Sequence, residues 1–182
     1  AADWYCPRQP ALRAEHLALA ESPLAAAAFA DAARLELQRF RHADGLALTE
    51  RGQACATDQA QRHGLALLQG EALREMGRNL EALAAFAQAR ACAASDVERA
   101  RASHELANVH RLLAQVEPAW KALDEAAAVA EQQGDAAWLS RIHYLRGNLC
   151  FARGDSAGCA EQHARALALA RSSADPLAEA QA

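Results

Sequence analysis

The sequence predicts an all-α protein made of stacked antiparallel helix pairs. Three observations carry that prediction: an alanine-dominated composition, a small-residue pattern that recurs at a nearly fixed period, and breaker residues that fall in the same register. The 182 residues are 52% hydrophobic but only 5% aromatic, and 51 of them are alanine. Alanine is the best helix former and adds little volume. A dense interior built from it therefore requires helix axes that approach closely. β-Branched residues are scarce, which leaves little material for a sheet.

The recurring pattern is a small residue in a first helix, a Gly or Ala near its end, then a second helix with two small residues flanking a larger one. The clearest copy is Gly70, Leu73, Gly77, Ala82, Phe86 and Ala89. Ala107, His110, Ala114, Ala119, Leu123 and Ala126 follow, and then Gly147, Cys150, Gly154, Cys159, His163 and Ala166. An earlier copy runs through Ala33, Glu36, Phe40, Gly45, Thr49 and Gly52. The leading residues are 37, 37 and 40 positions apart. Small residues in the first helix admit the second closely, and the larger side chain fills the groove beside them. One pair cannot bury both faces, so pairs are expected to stack into a solenoid.

Taken in order, the elements are these. A first helix spans 9–20. Ser22-Pro23 reads as an N-cap followed by proline at the first helical position, opening 23–41. Helices at 44–56 and 58–77 follow, the latter stopped by Gly77, with Asn79 starting 79–93. Ser95-Asp96-Val97-Glu98 is a capping box that opens 96–115. Pro118 after Glu117 opens 117–133, Gly134-Asp135 separates it from 135–153, and Gly154-Asp155 precedes 155–172. Asp175-Pro176 opens a last, partial helix at 175–182. The expected organisation is a leading segment at 1–22, a repeat array at 23–174 divided into 23–57, 58–94, 95–134 and 135–174, and the partial helix.

Charge and hydropathy narrow the function. The net charge is −4, from 19 basic and 23 acidic residues, which is not the footprint of a nucleic-acid binder. The longest apolar runs, such as 24–30, are far shorter than a membrane span. No signal peptide is recognisable. The chain starts at Ala1 rather than methionine, and both ends read as cut from a longer protein. Five cysteines without a close-spaced pair favour reduced thiols in the cytoplasm.

Several groups invite a chemical role. Cys150, Cys159 and His163 occupy facing positions of one helix pair, with His143 about two turns away. They lack the short spacings of a zinc site, and cysteine packs as a small apolar residue. Packing is therefore the preferred reading, with a zinc site or a Cys150–Cys159 disulfide as alternatives. Cys55 and Cys92 fall at equivalent places in two copies, which also favours packing, as does the placing of Trp120 and Trp138. Glu71 and Glu75, with Arg74 between them, read as a solvated face. No phosphate loop and no Ser–His–acid arrangement is recognisable. No enzyme activity, cofactor or metal is expected.

On the six-residue pattern above, the chain resembles the tetratricopeptide repeat family. Gly70, Gly77, Ala82, Phe86 and Ala89 hold its small-residue, glycine-turn and alanine–aromatic–alanine sites. Copy four keeps Gly147, Gly154 and Ala166 but has Cys159 and His163 at the small and aromatic sites, and copy three has Ala107 and Ala114 in place of glycines. The period exceeds the common 34 residues by about one helical turn, so lengthened helices are expected. The Ala- and Arg-rich style is similar to the C-terminal arrays of bacterial signalling ATPases, maltose-type transcriptional activators and multidomain nucleotide cyclases. Ala11 to Leu17 looks like the junction helix after the ATPase part of such proteins.

The resemblance implies a right-handed superhelical solenoid of about four pairs. It also implies that the first helix of each pair lines a concave ligand face. The ligand-binding residues it points to are Arg74, then Arg101, His104, Asn108 and Arg111, then Arg141, Tyr144 and Asn148. Asn108 and Asn148 directly follow the small residue of successive copies, 40 apart. An asparagine amide donates and accepts, so it can grip a peptide group in both senses, and arginine forks suit carboxylates. The expected function is a protein- or peptide-binding module, the regulatory or sensor arm of a larger bacterial signalling protein, with no nucleic-acid or membrane partner. The alternative is an architectural arm that forms a homodimer or spaces domains.

Overall fold

The computed structural model describes residues 9–173. Among them are nine helices and no strand: α1 (Pro10–Leu19), α2 (Ala25–Gln38), α3 (His42–Cys55), α4 (Gln59–Glu75), α5 (Asn79–Ala91), α6 (Asp96–Leu112), α7 (Val116–Gln133), α8 (Ala136–Ala152) and α9 (Ser156–Ser173). The expected helix at 175–182 lies outside the described residues. No helix is long and apolar enough to cross a membrane, among the residues described. The chain divides into two compact units, Ala1–Ser95 and Asp96–Ala182.

In the first unit α2 packs on α3 and α4 on α5, with α1 against α2 and α3 against α4. In the second, α6 packs on α7 and α8 on α9, with α7 against α8. The cores are what the composition implies. The second unit's core contains Ala107, Ala119, Ala126 and Ala130 around the larger Leu123, Ile142, Leu149 and Trp138. The small leading residues do what the pattern requires. A Cβ added to Gly70 would sit 2.6 Å from the Phe86 ring, and one added to Gly147 would run into the His163 ring. Thr49, Phe86 and Leu123 are buried, so the larger residue of three second helices is a core side chain, while His163 in the fourth is half-buried.

The corners joining the two helices of each pair repeat in detail. Phe40, Gly77, Ala114 and Gly154 all have left-handed backbone, with φ of 60°, 73°, 56° and 74°. In each, the next residue's N–H reaches back to the second pattern residue: Arg41 to Glu36, Arg78 to Leu73, Gln115 to His110 and Asp155 to Cys150, at 2.8–3.0 Å. These are Schellman closures, which satisfy carbonyls that the helix end leaves open. The residue after the corner then serves as N-cap of the next helix. Arg41, Arg78 and Gln115 do so with ψ of 65°, 59° and 76° and without a side-chain bond.

This tight corner corrects several expected starts. α3 begins at His42, not 44. The start expected at Asn79 is where the helix begins, with Arg78 as its cap. α7 begins at Val116, so Pro118 falls at the third position, where its missing N–H still costs nothing. Ser22-Pro23 forms a turn instead of a cap: Ser22 Oγ accepts from Leu24 N–H at 3.3 Å, and the helix starts at Ala25. Asp58 and Asp135 do cap, accepting from the N–H of Gln61 at 2.8 Å and of Trp138 at 2.9 Å.

Ala114 stands where two of the other corners have glycine. A left-handed alanine costs roughly 1–2 kcal/mol, partly offset by the chain entropy a glycine would add to the unfolded state. Ala114→Gly is therefore expected to stabilise the second unit by about 0.5–1 kcal/mol. The check is the urea midpoint followed by far-ultraviolet circular dichroism.

Candidate functional site

Within the second unit, α6 and α8 border a groove of about 630 Å³. From α6 come His104, Asn108 and Arg111, which share one face because they are four and three residues apart. From α8 come Arg141, Tyr144, Leu145, Asn148, Phe151 and Ala152. The residues correspond across the two helices at a spacing of 40: His104 with Tyr144, Asn108 with Asn148, and Arg111 with Phe151. The repeat period thus lays equivalent side chains next to one another.

Asn108 Oδ1 accepts from the Arg111 guanidinium at 2.9 Å, which holds the arginine beside it and leaves the Asn108 amide N–H₂ outside that bond. Asn148 is half-buried, and its side chain makes no hydrogen bond among the described residues. It offers donors and an acceptor at once. Tyr144 is fixed from behind by His163, with ring centroids 5.4 Å apart. Phe151 is 77% exposed at one end of the groove, an unusual solvent cost for a phenylalanine. Arg111 and Arg141 line the groove and no carboxylate does. The lining is therefore rich in guanidinium and amide groups.

Two of the expected residues are not among those that line this groove. Arg101, the counterpart of Arg141, does not line the groove. Its guanidinium lies over the Trp138 ring, 5.3 Å from the centroid, and 3.9 Å from the carboxylate of Asp135. The start of α8 offers it both a π face and an anion, so it turns there. Arg74 belongs to the first unit, at the end of α4, and contacts Glu75 at 3.1 Å. Phe151 and Ala152 continue the stripe of Arg141, Tyr144 and Asn148, whereas Leu145 lies off it. It is 7% exposed and reads as core, while one edge of it floors the groove.

No protein-family model matches the sequence, and a search of curated proteins finds no match.

The chemical alternatives have definite placements. His143 Nδ1 is 2.8 Å from Gln162 Oε1, and His163 packs over Gly147 and against Tyr144. Among the described residues, no group of three or more His, Cys, Asp or Glu is arranged to hold a metal ion. Trp120 lies under the Arg146 guanidinium at 5.6 Å, and Arg146 bonds Asp124 at 2.6 Å, which ties α7 to α8. Cys150 is buried, and Cys55, Cys92 and Cys159 are half-buried thiols.

Proposed function

We propose that the helix pairs are tetratricopeptide-like repeats of the right-handed superhelical kind. On this reading they serve as a protein- or peptide-binding arm of a larger cytoplasmic signalling protein of bacterial type, with no catalysis of their own. One observation carries the reading. The groove between α6 and α8 is lined by equivalent residues of successive pairs, with Asn108 and Asn148 at its centre and arginines beside them. An extended peptide has an amide at every residue and suits a row of asparagines. The forks of Arg111 and Arg141 suit a carboxylate on that peptide. Tyr144 and Phe151 add apolar surface for one side chain.

The test is selection of the 182-residue chain against a random peptide display library, followed by titration of the selected sequences. The reading predicts enrichment of peptides carrying Asp, Glu or a free C-terminal carboxylate, and affinity that falls as salt rises. Selection of no peptide, together with sedimentation showing a concentration-dependent dimer, would replace it by an architectural, self-associating arm.

A further inference from the structure

The last helix pair carries two thiols whose placement the peptide groove does not explain. Gly147 on α8 faces His163 on α9 across the pair, since a Cβ at 147 would enter the His163 ring. Cys150 lies three residues from Gly147 toward the connecting corner, and Cys159 lies four residues from His163 toward the same corner. In antiparallel helices each step is about one turn, so the two cysteines come to face one another one turn nearer the corner. Of their counterparts in the earlier pairs, Gly45, Leu73, Ala82 and Ala119 are buried, and Glu36 and His110 are half-buried. Both cysteines are also anchored to one residue, because Asp155 N–H bonds the Cys150 carbonyl and Cys159 N–H bonds the Asp155 carbonyl, each at 3.0 Å. Burial pushes the Cys150 thiol above its ordinary range, and the negative charges of Asp155 and of a Cys159 thiolate push it further.

We propose that Cys150 and Cys159 form a redox pair that closes to a disulfide and locks the α8–α9 corner. Cys159 is half-buried and reachable from solvent, and Cys150 is only 7% exposed. The sequence of steps follows from that difference. The Cys159 thiolate attacks a small-molecule disulfide, forming a mixed disulfide and releasing one thiol. Cys150 then loses its proton and attacks Cys159 Sγ, and the second small thiol leaves. The chain loses two hydrogens, and one small disulfide becomes two thiols. Phe151 and Ala152 directly follow Cys150 and line the groove, so the bond fixes the end of α8 that borders the ligand site.

The experiment uses the full chain in buffers of oxidised and reduced glutathione, with mass mapping of the peptides. The expected product is a chain lighter by two hydrogens, in which Cys150 and Cys159 are linked, with a melting temperature raised by roughly 5 °C and restored by dithiothreitol. A second protein carrying Cys6→Ser, Cys55→Ser and Cys92→Ser should behave in the same way, while Cys159→Ser should leave Cys150 as a thiol. Glutathione adducts that persist on Cys159, or a folded chain in which both cysteines stay reduced under oxidised glutathione, would overturn the proposal.

Discussion

Phe86→Ala is expected to cost about 3–5 kcal/mol, the largest stability loss of any single change considered, because the ring is buried and seats directly on Gly70. Domains of ordinary size are stable by about 5–15 kcal/mol, so the loss removes a large part of the margin. The contact predicts more than a loss. Gly70→Ala alone adds a methyl 2.6–2.7 Å from three ring atoms, where overpacking of about 1–3 kcal/mol outweighs the roughly 1 kcal/mol of helix propensity that alanine brings. In the double variant the ring is gone, and the methyl enters space that has been vacated. The two changes should therefore couple by about 0.5–3 kcal/mol, the double variant being more stable than the sum of the singles. The check is a double-mutant cycle from urea unfolding. Additive losses would mean that the ring does not lie over Gly70.

The second large effect concerns the groove. Asn108→Ala combined with Asn148→Ala is expected to weaken binding of a selected peptide at least tenfold. Two net hydrogen bonds of about 1 kcal/mol each correspond to roughly thirtyfold. The two positions should not contribute alike. Removing Asn148 deletes contacts made only to the ligand. Removing Asn108 also releases the Arg111 guanidinium, which it holds at 2.9 Å, so that variant should lose more of its preference for carboxylate-bearing peptides. Calorimetric titration of each variant, with circular dichroism to verify the fold, separates the two. Unchanged affinity in a folded double variant would remove the asparagines from the site.

How much of this was legible in the sequence can be judged residue by residue. Gly77 and Gly154 announce left-handed corners by their identity. Phe40 and Ala114 do not, and only the spacing of 37 places them at the same corner. Helix starts were less legible, because the closure at Glu36, Leu73 and His110 makes the following residue a cap whatever its side chain. Arg41, Arg78 and Gln115 fill that role, and no capping rule selects them. The resemblance to tetratricopeptide repeats points to His104, Asn108, Arg111, Arg141, Tyr144 and Asn148, and these six line the groove. Arg101 shares their period and departs from the groove because Trp138 and Asp135 draw it away. Those two lie more than 30 residues downstream, which no local pattern relates to it. Leu145 was hidden for the opposite reason, since a residue that packs in the core can also floor a groove.

The most direct test of the central claim is where a selected peptide lands. Backbone and side-chain amide shifts of the isotopically labelled chain should be followed during titration with that peptide. The account predicts shifts concentrated at the Asn108 and Asn148 side-chain amides and along the exposed faces of α6 and α8. Shifts confined to the outer faces of α7 and α9, or to the first unit, with these amides unmoved, would contradict it.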